Sequence, residues 1–321
     1  MKHFSIVAAM LGLWSGSAFS VPDSRDTPAH VCNNCTNAST EPYVLAPAPW
    51  ELKASVAYVV PMIGLTPDVP EKAFAPLERN SSYATSGQLL AGTGLMMVIR
   101  YSDSPVGPYD EFILIPGFYS NPKDGLVPRL RISRIYVSHK YTTWNGRNNW
   151  NIPKHLARFD WTTEADGTDT VKIYPHDTTA VNDETAGPSK MPFFQGAFKL
   201  LPLVGELVGL PLSTQILKVL GGVKLNPLTL ASPPLPEGNG VYDELVGTDT
   251  WANTEFGLAG GLTKVGTIDL YQGEKGDQVG DTGKNAVGDE YFPNFWPGLP
   301  RYNAALRLTD ATVLFQKPDR Y

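Results

Sequence analysis

Cysteine is nearly absent: the 321-residue chain has two, Cys32 and Cys35, in one Cys-Asn-Asn-Cys run. A single pair cannot supply the four ligands of a structural zinc site. With no strand-helix-strand pattern read beside it, the pair does not point to redox chemistry either. A small-loop disulfide or an idle pair remain. Basic clusters are missing too. With 26 Lys and Arg against 32 Asp and Glu, a net charge of -6 and no basic stripe, the composition argues against nucleic acid as a partner. The five histidines are scattered, without a His-Glu-x-x-His pair. There is also no Gly-x-Ser-x-Gly elbow, phosphate loop or Gly-x-Gly-x-x-Gly. Beyond the first twenty residues no apolar run reaches the length of a membrane span. Small molecules are left as the natural ligands.

What is present begins with a targeting pattern. Met1-Lys2-His3 is a short positive start, an apolar run follows over 4–13, and Ala18-Phe19-Ser20 has the small-x-small form of a cleavage site. Residues 1–20 therefore read as a signal peptide, which predicts a protein secreted or held in the secretory-pathway lumen. Residues 21–48 read as a polar, Pro-rich tail, and 49–316 as one domain. In that compartment Asn34, Asn37 and Asn80 head triplets of the N-glycosylation form. The runs GLMMVIRY (94–101), EFILIP (111–116) and 170–174 are compact and β-like, and turn residues separate them. Mainly β structure is expected, as an antiparallel sandwich or barrel with a few helices. Apolar spacing over 207–220 predicts a helix, and the Gly, Asp and Lys content of 272–290 predicts a solvated hairpin loop. Tyr291, Phe292, Phe295 and Trp296 form an aromatic cluster that suits a pocket wall or ordinary core packing.

The chemistry concentrates in residues 131–159. An alternating stretch with Ile132, Ile135, Tyr136 and Val137 predicts a half-buried strand, Asn145-Gly146 predicts a turn, and Ile152-Pro153-Lys154-His155 follows. Proline forces the residue before it to be extended, so Lys154 comes directly after a stiff segment. A lysine among Trp144, Trp150, Ile152 and Leu156 loses solvation of its ammonium, which lowers its pKa and frees the amine as a nucleophile. The plainer reading is a surface lysine whose stem covers apolar neighbours.

The spacing Gly146-Arg147, five residues, Pro153-Lys154 resembles the catalytic segment of the acetoacetate decarboxylase family, and Gly107-Pro108-Tyr109-Asp110-Glu111 lies where that family carries its site glutamate. The resemblance implies a β-barrel or sandwich, Schiff-base chemistry on Lys154, Glu111 in the pocket, and neither metal nor cofactor. It also implies a keto acid or ketone as the small-molecule partner. Arg147, Trp150 and His155 are expected on the substrate side, Arg147 also as an anchor near the lysine; oligomerisation is left open. His155 stands where the family has a second lysine, and Asn148 replaces an acidic residue. Only Lys53 and Arg100 offer themselves as carboxylate binders. These departures keep an aldolase, dehydratase or isomerase on the same fold, and a non-catalytic secreted binding barrel, beside β-keto acid decarboxylation.

Overall fold

The computed structural model describes residues 29–32, 35–62, 69–91, 94–176, 187–189, 192–201, 210–211, 228–270, 284–287, 290–293 and 302–321. The expected signal peptide, Asn34, and most of 207–220 and 272–290 lie outside them. Tyr291 and Phe292 fall within a described strand, whereas Phe295 and Trp296 do not. No described helix is long and apolar enough to cross a membrane.

In chain order the strands are β1 (Trp50–Pro61), β2 (Leu89–Ala91), β3 (Leu95–Asp103), β4 (Tyr109–Ile115), β5 (Phe118–Asn121), β6 (Gly125–Leu130), β7 (Arg134–Val137), β8 (Lys154–Thr163) and β9 (Asp169–Pro175). They continue as β10 (Phe194–Leu200), β11 (Leu210–Pro211), β12 (Thr229–Ser232), β13 (Ala252–Asp269), β14 (Lys284–Val287), β15 (Glu290–Pro293), β16 (Ala304–Phe315) and β17 (Asp319–Arg320). Three α-helices are described, α1 (Pro76–Arg79), α2 (Ser82–Thr85) and α3 (Lys140–Trp150). All strands but the β14–β15 hairpin join one sheet, in the order β10-β9-β8-β7-β4-β3-β1-β16-β13-β12-β6-β5-β2, with β11 and β17 each pairing β13 off this path. The end of β13 also pairs with β10 and its start with β12. The sheet thus branches at β13, and the architecture is a mainly β sandwich rather than a simple closed barrel.

Apolar side chains cover both faces of the central strands. In β4, Ile113 and Ile115 enter one core with Ile99, Ile132 and Ile135, while Phe112 and Leu114 enter a second with Val98, Tyr136 and Phe194. Because successive strand residues point to opposite faces, a strand buried on both sides reads as a near-continuous apolar run. That is why EFILIP and GLMMVIRY are so compact.

The turn expected at Asn145-Gly146 is instead the middle of α3. His139 caps the helix by accepting from the Thr142 N–H, and Asn151 ends it in the left-handed region at φ 53°. β7, α3 and β8 form a parallel crossover, with Ile135 opposite Lys154, where no such pattern was expected. The helix is polar in sequence yet buried on nearly every side, because the preceding tail satisfies it. Lys140 Nζ donates to the Ser39 carbonyl at 2.6 Å, Tyr141 OH to the Glu41 carbonyl at 2.6 Å, and Asn145 Oδ1 accepts from the Ala46 N–H at 2.8 Å. The Asn37 amide is engaged at both ends, by the Lys140 N–H at 2.8 Å and the Ser138 carbonyl at 3.0 Å. From residue 29 the tail, set apart from the domain by its composition, therefore packs on it, with Cys32 and Cys35 joined in a disulfide. At 207–220, where a helix was expected, the two described residues form β11 against β13.

Candidate active site

Lys154 opens β8 and points to the face shared with Ile135 and Ile113, its neighbours across β7 and β4. Its stem crosses Gly146 of α3 so closely that a Cβ there would stand 2.6 Å from its Cδ. A side chain at position 146 would therefore obstruct the lysine chain, which gives the glycine of the Gly-Arg element its physical meaning. The amine is 2.9 Å from Glu111 Oε2, 2.9 Å from Thr142 Oγ1 and 3.4 Å from Tyr109 OH. Glu111 stands two residues along the same face from Tyr109, and its Oε1 accepts from Tyr101 OH at 3.1 Å. Lys154 and Glu111 are only 4% and 2% exposed.

The electrostatics follow from that dryness. Burial drives the Lys154 pKa down; the Glu111 carboxylate pulls it back up, but not fully, so the amine titrates below an ordinary lysine. Burial and the adjacent carboxylate push Tyr101 and Tyr109 well above the usual phenol range. Both therefore stay protonated and serve as donors. His139, beside Tyr109, is held neutral: burial, then the Lys154 charge, lower it to about 3.

Of the residues expected on the substrate side, none contacts the Lys154 amine. His155, the next residue along β8, points to the opposite face and meets Glu78 Oε2 at 2.6 Å. Arg147 reaches Glu78 Oε1 at 3.1 Å and donates to the carbonyls of Lys154 (3.3 Å), Val246 (2.9 Å) and Pro236 (2.6 Å). Its contact with the lysine is to the main chain, through the Lys154 carbonyl. Burial pushes Glu78 up, but His155 and then Arg147 outweigh it and hold the carboxyl below its usual range. Trp150 packs edge-on against Trp50 and donates to the Gln316 carbonyl at 2.8 Å. Trp144 stacks on Tyr43. Lys53 pairs with Glu51, and Arg100 with Asp110, both on the exposed surface. Among the described residues no group of three His, Cys, Asp or Glu side chains is placed to hold a metal ion.

Sequence reasoning missed Tyr101, Tyr109, Thr142 and Glu78. Tyr109 was within reach, since strand alternation puts it on the Glu111 face. The other three lie on separate elements and are brought in only by tertiary packing. Next to the site, Ile99, Tyr101, Ile113 and Ile132 form one end of an apolar cavity with about 100 Å³ of room.

No family model matches the chain. The protein NEOXANTHIN-DEFICIENT 1 of Oryza sativa subsp. japonica is 31% identical over 118 residues, 37% of this chain and 35% of that protein. Its Arabidopsis thaliana counterpart of the same name is 31% identical over 114 residues, 36% and 37% of the two chains. The chain thus matches little more than a third of the length of these curated relatives. Among solved structures, an acetoacetate decarboxylase from Legionella pneumophila is similar at 14% identity and TM-score 0.45, over 95% of this chain and 98% of that one. A second acetoacetate decarboxylase structure is similar at 12% identity and TM-score 0.48, over 90% and 95% of the two chains. The enduracididine biosynthesis enzyme MppR is similar at 11% identity and TM-score 0.42, over 95% and 98%. The chain has its structural neighbours among acetoacetate decarboxylases and MppR, and its sequence relatives in the NEOXANTHIN-DEFICIENT 1 proteins.

Proposed function

We propose that the protein is a Schiff-base lyase of the acetoacetate decarboxylase type, with Lys154 as nucleophile and Glu111 as its proton partner. One observation carries the reading: a buried lysine amine 2.9 Å from a buried carboxylate. The Nζ proton passes along that hydrogen bond to Glu111 Oε2, leaving an amine with a free lone pair. The amine adds to the carbonyl carbon of the substrate. Glu111 returns the proton to the resulting hydroxyl, which leaves as water, and the product is a protonated imine facing the Glu111 carboxylate. For a β-keto acid, the bond to the carboxyl carbon breaks, carbon dioxide leaves, and the imine nitrogen takes up the electron pair as an enamine. Protonation at carbon and hydrolysis then release the ketone and restore Lys154. Tyr101 OH holds Oε1 throughout, so that Oε2 faces the lysine. Neutral His139 adds no competing positive charge.

The test is borohydride reduction in the presence of ketones and β-keto acids, followed by mass mapping. An adduct on Lys154, lost in Lys154→Met, is expected. Carbon dioxide release separates decarboxylation from aldol, dehydration or isomerisation chemistry through the same imine. Absence of an adduct across the panel overturns the reading.

A further inference from the structure

We infer that the site takes a carbonyl compound with an extended, uncharged aliphatic tail, which lies in the apolar cavity while the carbonyl meets Lys154. This rests on the imine reading above. Close-packed interiors rarely leave voids larger than a water molecule, and apolar cavities that do exist stay dry and take apolar guests. Here about 100 Å³ is open, and Tyr101 is the single polar side chain in the wall. No charged side chain lines it among the described residues. A carboxylate or phosphate placed there would lose its hydration without gaining a partner.

The cavity has a direction. Its rim, at Pro61, Met97, Val265, Ala304 and Leu306, is half-buried or exposed, whereas Ile99, Tyr101 and Ile113 at the other end are buried. That inner end lies on the strands that carry the reactive pair. Ile99 stands opposite Glu111 across β3 and β4, and Ile113 lies in register with Ile135, which is opposite Lys154. Tyr101 belongs to both, walling the cavity and donating to Glu111. A chain entering at the rim thus runs inward to Tyr101, the side chain that donates to Glu111 beside the amine.

The experiment uses the full protein and a homologous series of methyl ketones from acetone to 2-undecanone. Reductive trapping on Lys154 is measured against concentration, and each maximal rate is compared with that of a simple alkylamine. The half-saturating concentration is expected to fall about fourfold per added methylene until the cavity is full. Val313→Phe, which fills the cavity from β16, should abolish that gain along the series. If Val313→Phe does not fold, Val265→Phe at the half-buried rim takes its place. Equal half-saturation along the series overturns the tail site while leaving imine chemistry standing. If no ketone traps, the imine reading falls, and calorimetry of 2-undecanone and acetone on Lys154→Met decides the cavity alone. Tighter binding of the long ketone sustains the tail site there; equal or absent binding overturns it.

Discussion

At the residue scale, two opposing forces act on one amine. Burial of Lys154 disfavours the ammonium, and Glu111 at 2.9 Å favours it, with burial prevailing. The trapping rate of Lys154 against pH should therefore turn over below the ordinary lysine value of about 10.4. Glu111→Gln removes the force that raises the pKa, so the turnover point should move lower still. The rate should nevertheless fall by about 10²–10⁴, because the proton acceptor and donor is lost. Trapping across pH on both proteins checks this; a midpoint that rises in Glu111→Gln contradicts the assignment. His155 faces Glu78 on the other side of the strand, so the group beside Lys154 in sequence is not the one beside it in charge.

At the element scale, α3 is a rail for Lys154. Gly146→Ala would ordinarily stabilise a helix by about 1 kcal/mol, yet the new methyl meets Lys154 Cδ and Cε at 2.6 and 2.8 Å. The lysine chain must shift, and a displacement near 1 Å can cost about 100-fold in rate. Thermal unfolding should therefore change little while trapping falls at least tenfold, and parallel losses in both would place the glycine in folding alone. Behind the rail, Glu78 joins α1 to α3 through Arg147 and to β8 through His155. Glu78→Leu leaves the Arg147 guanidinium buried without its carboxylate, which should cost about 3–5 kcal/mol in denaturant unfolding.

At the scale of the whole molecule, buried neutral histidines set the acid limit. Burial, then the Lys154 charge, hold His139 at about 3, and burial holds His176 at about 4. An unfolded chain takes up these protons near 6.5 and the native chain does not. Between 6.5 and these values the unfolded state binds more protons, so stability is present above 6.5 and is lost as pH falls. Each such group contributes up to about 1.4 kcal/mol per pH unit. His139→Asn keeps an N-cap acceptor for α3 but removes one titrating group. Urea unfolding from pH 7 to 4 should show a shallower decline in this variant, and an unchanged slope would mean that His139 is already accessible to protons. The tail belongs to the same account. Deleting residues 29–48 strips the partners of Lys140, Tyr141, Asn145 and Asn149, so unfolding at lower urea and exposure of α3 to hydrogen exchange are expected.

The sequence by itself determined the β character of 94–101 and 111–116, since strands buried on both faces need apolar residues at every position. The extended entry expected from Pro153 is instead a tight turn, with the Lys154 N–H donating to the Ile152 carbonyl at 2.7 Å, because the chain must leave the C-terminus of α3 and enter β8 within three residues. Glu111 and Lys154 were legible as a pair only through resemblance. Their 2.9 Å contact depends on β4, β7 and β8 lying side by side in one register. Helix α3 was not legible: its polar residues are satisfied by a tail about a hundred residues earlier, and no local periodicity records a distant partner. Glu78, Tyr101, Thr142 and the cavity were likewise decided by tertiary structure, which alone brings separate elements to one buried point. Local sterics and side-chain alternation act over a few residues and can be read from the chain. Burial, charge pairing and empty space are properties of the neighbours that folding supplies.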